Sequence, residues 1–183
     1  LRDSRLGSQI DSYDEVIRFN RAPVIGFEQD VGEKTTLRVT NNHVFNNNDI
    51  QNEGYTSQPP DFIKNLTNSR LLYVAPDIAP WHNRSENTND TNELFLFNYQ
   101  ELNNLKESVG CGCPGNLTVG AIVVGLCILS GIAPTLAGFD FQSGPRTHYW
   151  EKRPAAGSSS HDITTEQEWF LQLVEKNKIL VLN

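Results

Sequence analysis

Residues 118–139 read TVGAIVVGLCILSGIAPTLAGF, the apolar part of an uncharged stretch that runs from Ser108 to Phe139. Crossing a bilayer takes about 20 consecutive apolar residues. Gly120, Gly125, Ser130, Gly131 and Pro134 interrupt this run, and no Lys or Arg flanks either end. It reads instead as a buried helix, Thr118 to Ser130, followed by a buried strand, Pro134 to Phe139. Helices packed on a parallel sheet and the central strands of such a sheet are both continuous apolar runs.

Working outward, Glu15 to Phe19 and Thr35 to Thr40 read as strands, with a turn at Arg21-Ala22-Pro23 between them. From Asn41 to about Asn104 the composition turns to Asn, Asp, Ser and Gln, and only Leu71 to Val74 and Leu94 to Tyr99 read as ordered. Past a Gly157-Ser158-Ser159-Ser160 loop, Thr165 stands three residues before Glu168, the spacing of a capping box. Trp169, Leu173 and Val174 then share one face of a short helix, and Lys178 to Leu182 reads as a strand. Apolar strands alternating with helices predict an α/β domain with a mostly parallel sheet flanked by helices.

The 183 residues fit one domain, carry a formal charge of -7 and have a pI near 5.0. That balance argues against a global grip on nucleic acid or an anionic membrane, which calls for a basic face. Three cysteines are too few for a disulfide scaffold, and Cys111-Gly112-Cys113 has no second pair to complete a zinc site. The chain opens at Leu1 and contains no Met, so a natural start is expected upstream. Asn65, Asn83, Asn89 and Asn116 each head an N-glycosylation sequon.

His148 and His161 sit in polar segments near the carboxyl end, outside any apolar stripe. Imidazole exchanges a proton near neutral pH without a large pKa shift; spacing alone leaves both as solvated loop histidines, and His43 and His82 receive no role. There is no GxGxxG, Walker loop, HExxH or GxSxG. Nor is there an Asp-x-Asp pair to hold a nucleotide diphosphate through a divalent cation, so no metal is expected.

The stretch from Ser4 to Pro23, with Ile10-Asp11 and Val16-Ile17-Arg18-Phe19-Asn20-Arg21-Ala22-Pro23, continues into Asp30-Val31-Gly32-Glu33-Lys34-Thr35-Thr36. It resembles the large sialylmotif of the eukaryotic-type sialyltransferases, glycosyltransferase family 29. Leu117 to Gly120 and Leu136 to Phe139 resemble the small motif, His148-Tyr149-Trp150-Glu151 the third, and His161 with Glu166 the very small motif, His-x4-Glu. The matches follow the family's order. Leu117 and Val119 replace two members of the usual Pro-Ser-Ser/Thr-Gly turn, Thr147 replaces a histidine, and Gly131 stands where the small motif has Cys.

This resemblance implies a modified Rossmann-like, GT-A-variant single domain over residues 1–183, truncated at its amino end, with residues 41–115 as a variable, loop-rich acceptor side. It implies inverting, metal-independent transfer of sialic acid from CMP-sialic acid to a galactose or N-acetylgalactosamine hydroxyl of a glycoprotein or glycolipid. No cofactor is implied beyond that donor. His161 is then the general base, and His148 faces the leaving phosphate. Asn20, Thr118, Gly120, Gly138, Tyr149 and Trp150 contact the donor, and Glu166 supports the motif. The implied setting is the Golgi lumen, reached as a type II membrane protein through an upstream anchor. The inter-motif disulfide is not expected at its usual position, which leaves Cys111 and Cys113 for a cysteine upstream of Leu1. Arg38 leans toward relatives that sialylate the 6-position, the third motif toward the 3-position. The alternative is a sialyltransferase-like domain that only binds glycan or nucleotide.

Overall fold

The computed structural model describes residues 1–20, 22–41, 70–74, 99–139, 149 and 161–182. The chain divides into two compact units, residues 2–99 and residues 100–183 with Leu1.

In the first unit, β1 (Ile17–Phe19), β2 (Leu37–Asn41) and β3 (Arg70–Val74) form a sheet with β2 in the middle. Both pairings are parallel, with Ile17 opposite Leu37 and Leu37 opposite Arg70. Parallel neighbours need a crossover rather than a tight hairpin, and the short helix α2 (Glu28–Val31) lies in the one between β1 and β2. The turn expected after β1 is present as the Ala22 N–H donating to the Phe19 carbonyl at 3.1 Å; Arg21 lies outside the described residues.

Side chains distant in sequence lock this unit. Arg18 and Arg38 face each other in register and are both buried. Charge at such depth has to be met by hydrogen-bonding groups. Arg18 Nη2 donates to the Val31 and Gly32 carbonyls at 2.7 and 3.1 Å, and its Nε to the Lys34 carbonyl and Thr35 Oγ1 at 3.1 and 2.9 Å. Arg38 Nη1 donates to the carbonyls of Asn20 and Ala22. The Asp11 carboxylate accepts the N–H groups of Glu33 and Lys34, and Asp30 those of Asp3 and Arg5. Helix α1 (Gly7–Asp11) touches α2 at Gly7, where a Cβ would lie 2.1 Å from the Glu28 carbonyl oxygen.

The second unit holds α3 (Tyr99–Val109) from its second residue onward, α4 (Val119–Leu129), β4 (Thr135–Ala137), α5 (Ile163–Glu175) and β5 (Leu180–Leu182). β4 and β5 pair in parallel, Thr135 opposite Leu180. Helix α4 is the apolar run of residues 118–139, capped by Thr118 and Ser130 and buried from Val119 to Gly125. Among the described residues no helix is long and apolar enough to cross a membrane.

Three local readings change. Helix α5 begins a turn earlier than the capping-box spacing suggests: Asp162 is the N-cap, accepting the Thr165 N–H at 3.1 Å and its hydroxyl at 2.8 Å. A carboxylate there meets orphan N–H groups and the positive end of the helix at once. The buried face is Glu166, Trp169, Phe170 and Leu173, while Val174 is exposed. Residues 99–109 are helical within the segment read as polar loop. Their Leu102 and Leu105 are buried, at a spacing of three that was visible but swamped by the surrounding Asn.

Candidate active site

The junction between α4 and α5 is built from side chain to backbone. Thr118 ends the loop before α4 with extended φ/ψ of -64° and 157°, and its Oγ1 accepts the Ala121 N–H at 3.2 Å, quieting one orphan donor of the helix. The same hydroxyl donates to Glu166 Oε1, and the Thr118 N–H donates to Glu166 Oε2 at 2.9 Å. Glu166 is only 3% exposed. Burial raises its pKa above the ordinary carboxyl value, against the opposing pull of the two Thr118 hydrogen bonds and the charge of His161.

His161 stands next to the α5 N-cap, half-buried, with Nδ1 at 2.9 Å from the Asn116 carbonyl oxygen. A carbonyl only accepts, so Nδ1 carries a hydrogen and proton exchange falls to Nε2. Asn116 was not read as part of the site. It contributes a backbone oxygen, for which residue type leaves no trace.

The loop that presents Asn116 and Thr118 is fastened from α3 as well. Lys106 Nζ donates to the carbonyls of Cys113 and Gly115 at 3.1 and 3.2 Å, and Trp169 Nε1 to the Val109 carbonyl at 3.2 Å.

The two glycines have packing reasons for their size. A Cβ on Gly120 would lie 2.8 Å from the Phe139 ring, which is tilted against Phe170 with the ring centres 5.5 Å apart. Gly138 has φ of 75° and abuts Leu1. The structure therefore brings together Thr118, Glu166 and His161. Asn20 belongs to the other unit and adopts φ of 48°, a left-handed conformation that Asn tolerates; its N–H donates to the Val39 carbonyl at 2.7 Å. Tyr149 is half-buried. His148 and Trp150 lie outside the described residues, as do His43, His82 and the sequons at Asn65, Asn83 and Asn89. Among the described residues no three His, Cys, Asp or Glu side chains gather as a metal site would require.

Parallel strands, with helices described between β1 and β2 and between β4 and β5, define an α/β fold. A crystal structure of a mammalian sialyltransferase superposes with a TM-score of 0.64 at 22% identity, covering 98% of this chain and 63% of that one. The chain belongs to glycosyltransferase family 29, the sialyltransferases, whose family model matches residues 1–178. Over 81 residues, 44% of the chain, it is 53% identical to human beta-galactoside alpha-2,6-sialyltransferase 2, of which the match covers 13%. Over 40 residues, 22% of the chain, it is 68% identical to a mouse CMP-N-acetylneuraminate-beta-1,4-galactoside alpha-2,3-sialyltransferase, of which the match covers 11%.

Proposed function

We propose that the chain carries sialyl transfer from CMP-sialic acid to a galactose or N-acetylgalactosamine hydroxyl of a glycoprotein or glycolipid glycan, with inversion. The observation that supports this most directly is the clamp on His161. With Nδ1 engaged by Asn116, Nε2 accepts the proton of the acceptor hydroxyl as the bond to the sialyl anomeric carbon forms. Departure of CMP passes through an oxocarbenium-like state, as in glycoside cleavage, and the leaving phosphate needs donors as its charge grows. His148 takes that place, while Asn20, Thr118, Gly120, Gly138, Tyr149 and Trp150 form the donor side. Glu166 holds Thr118 in position. Metal independence rests on the missing Asp-x-Asp pair, and the proposed setting is the Golgi lumen.

The test is radiolabelled sialyl transfer by the full-length protein. His161→Ala should lower kcat by about 10² to 10⁴ while leaving CMP affinity nearly intact; His148→Ala should lower both. EDTA should leave the rate unchanged. Turnover at the parent level in folded His161→Ala would sink the assignment.

A second reading, a domain that binds nucleotide or glycan without transfer, is favoured by Leu117 and Val119. Both are buried apolar side chains where the family pattern has other residues. Hydrolysis of CMP-sialic acid in the absence of acceptor separates the two readings.

A further inference from the structure

The loop between α3 and α4 carries two cysteines that the reaction does not use. Cys111 and Cys113 are both buried thiols, with their sulfurs 3.0 Å apart across Gly112. Cα atoms two residues apart lie at most about 7.2 Å from each other. Any departure from full extension brings such a pair toward the range of about 4.4–6.8 Å that a disulfide spans. Gly112 is open on its surface, with nothing within 4 Å of where a Cβ would stand.

One residue already holds both cysteine backbones. The Cys111 N–H donates to the Lys106 carbonyl at 2.9 Å, and the Lys106 ammonium donates to the Cys113 carbonyl at 3.1 Å. Little chain freedom remains to be lost when the sulfurs join.

We propose that Cys111 and Cys113 close a disulfide across Gly112, fastening the start of the loop that ends at Asn116 and Thr118. The oxidant is a small-molecule disulfide of the secretory lumen, such as oxidised glutathione; only that supply rests on the lumenal reading given above. A thiolate of one cysteine attacks the oxidant, releasing one glutathione thiol and leaving a mixed disulfide. The second cysteine attacks the protein-bound sulfur and releases the other. Two thiols are oxidised, two electrons pass to one oxidant molecule, and the two cysteine protons end on the two released thiols. Closure belongs to folding, while the sulfurs are still wet. In the folded protein burial and the neighbouring Cys111 push the Cys113 thiol up to about 12, so an unclosed Cys113 would not readily become a nucleophile.

Protein secreted from eukaryotic cells is denatured in iodoacetamide without reductant, digested and mapped by mass spectrometry. The peptide bearing Cys111 and Cys113 should carry no alkyl group and be two hydrogens lighter than the dithiol, and should take up two groups after reduction. Cys113→Ser should free one alkylatable thiol at Cys111. Bacterially produced, reduced protein refolded in glutathione buffer should close the same bond. Alkylation of both cysteines in that refolded sample, or a bridge from either to another cysteine, overturns the pairing. Closure in glutathione with an open pair in the secreted protein overturns the lumenal supply alone.

Discussion

Glu166 grips Thr118 at two points across 48 residues: Oε2 takes the backbone N–H at 2.9 Å and Oε1 takes the hydroxyl. Removing the carboxylate leaves both partners beside an apolar void, at about 1–3 kcal/mol for each unsatisfied group. Glu166→Ala should therefore lower Tm by about 5–10 °C. Glu166→Gln keeps an oxygen for the N–H and offers its amide to the hydroxyl oxygen, and should stay close to the parent. Thermal melts followed by circular dichroism check both. A Glu166→Ala variant that melts with the parent would show that the grip contributes nothing.

The same carboxyl makes stability depend on pH. Its folded pKa is raised by burial above the ordinary value of 4.5, so the folded state holds this proton more tightly than the unfolded state. That contribution is complete below the unfolded pKa and is lost as pH rises through the folded one. Asp162 works in the opposite sense: hydrogen bonds from Thr165 lower its pKa, so its contribution is present above the ordinary 3.8 and lost as pH falls. Urea midpoints at pH 5 and pH 7 should therefore differ between parent and Glu166→Gln, the parent losing more on the way up. Parallel pH profiles would sink the prediction.

Gly7→Ala drives a methyl into the carbonyl oxygens of Glu28 and Gln29, both backbone atoms that cannot rotate aside. Forcing α1 off α2 should cost at least the roughly 1–3 kcal/mol of ordinary overpacking. Gly112→Ala, with open space around it, should change stability by no more than about 0.5 kcal/mol. Denaturant titration of the two variants makes the comparison.

Arg18→Lys keeps the charge and discards the fork. A single ammonium cannot serve the Val31, Gly32 and Lys34 carbonyls and the Thr35 hydroxyl that Nε and Nη2 now hold between them. The expected loss is about 2 kcal/mol or more, since hydrogen bonds from charged donors contribute about 1.5–3 kcal/mol each. A substitution that left the urea midpoint unmoved would show that Arg18 is not the tie between β1 and the loop after α2.

What could be read in advance follows from how local its cause is. Helix α4 announces itself because eleven apolar or small residues follow a Thr cap, and β1 and β2 because their residues favour strands and lie between turns. Helices α1 and α2, of five and four residues, are too short to show a period. They are held by Asp11, Asp30 and Arg18 reaching 13 to 27 residues along the chain. At the candidate site, histidine and glutamate are legible as a spaced pair. The partners of that pair are a carbonyl 45 residues away and a threonine 48 residues away, and sequence alone does not say which way the chain folds back.

The parallel pairing of β4 with β5 also sets an order of events during synthesis. Thr135 meets Leu180, and a ribosome adding about 5–20 residues per second needs roughly 2–9 s to make the 45 residues between them. Until Leu180 has been added, β4 has no β5 to pair with. The hydrogen-bonding edge of β4 is thus closed only by a strand made 45 residues later, and this sheet forms late in the life of the nascent chain.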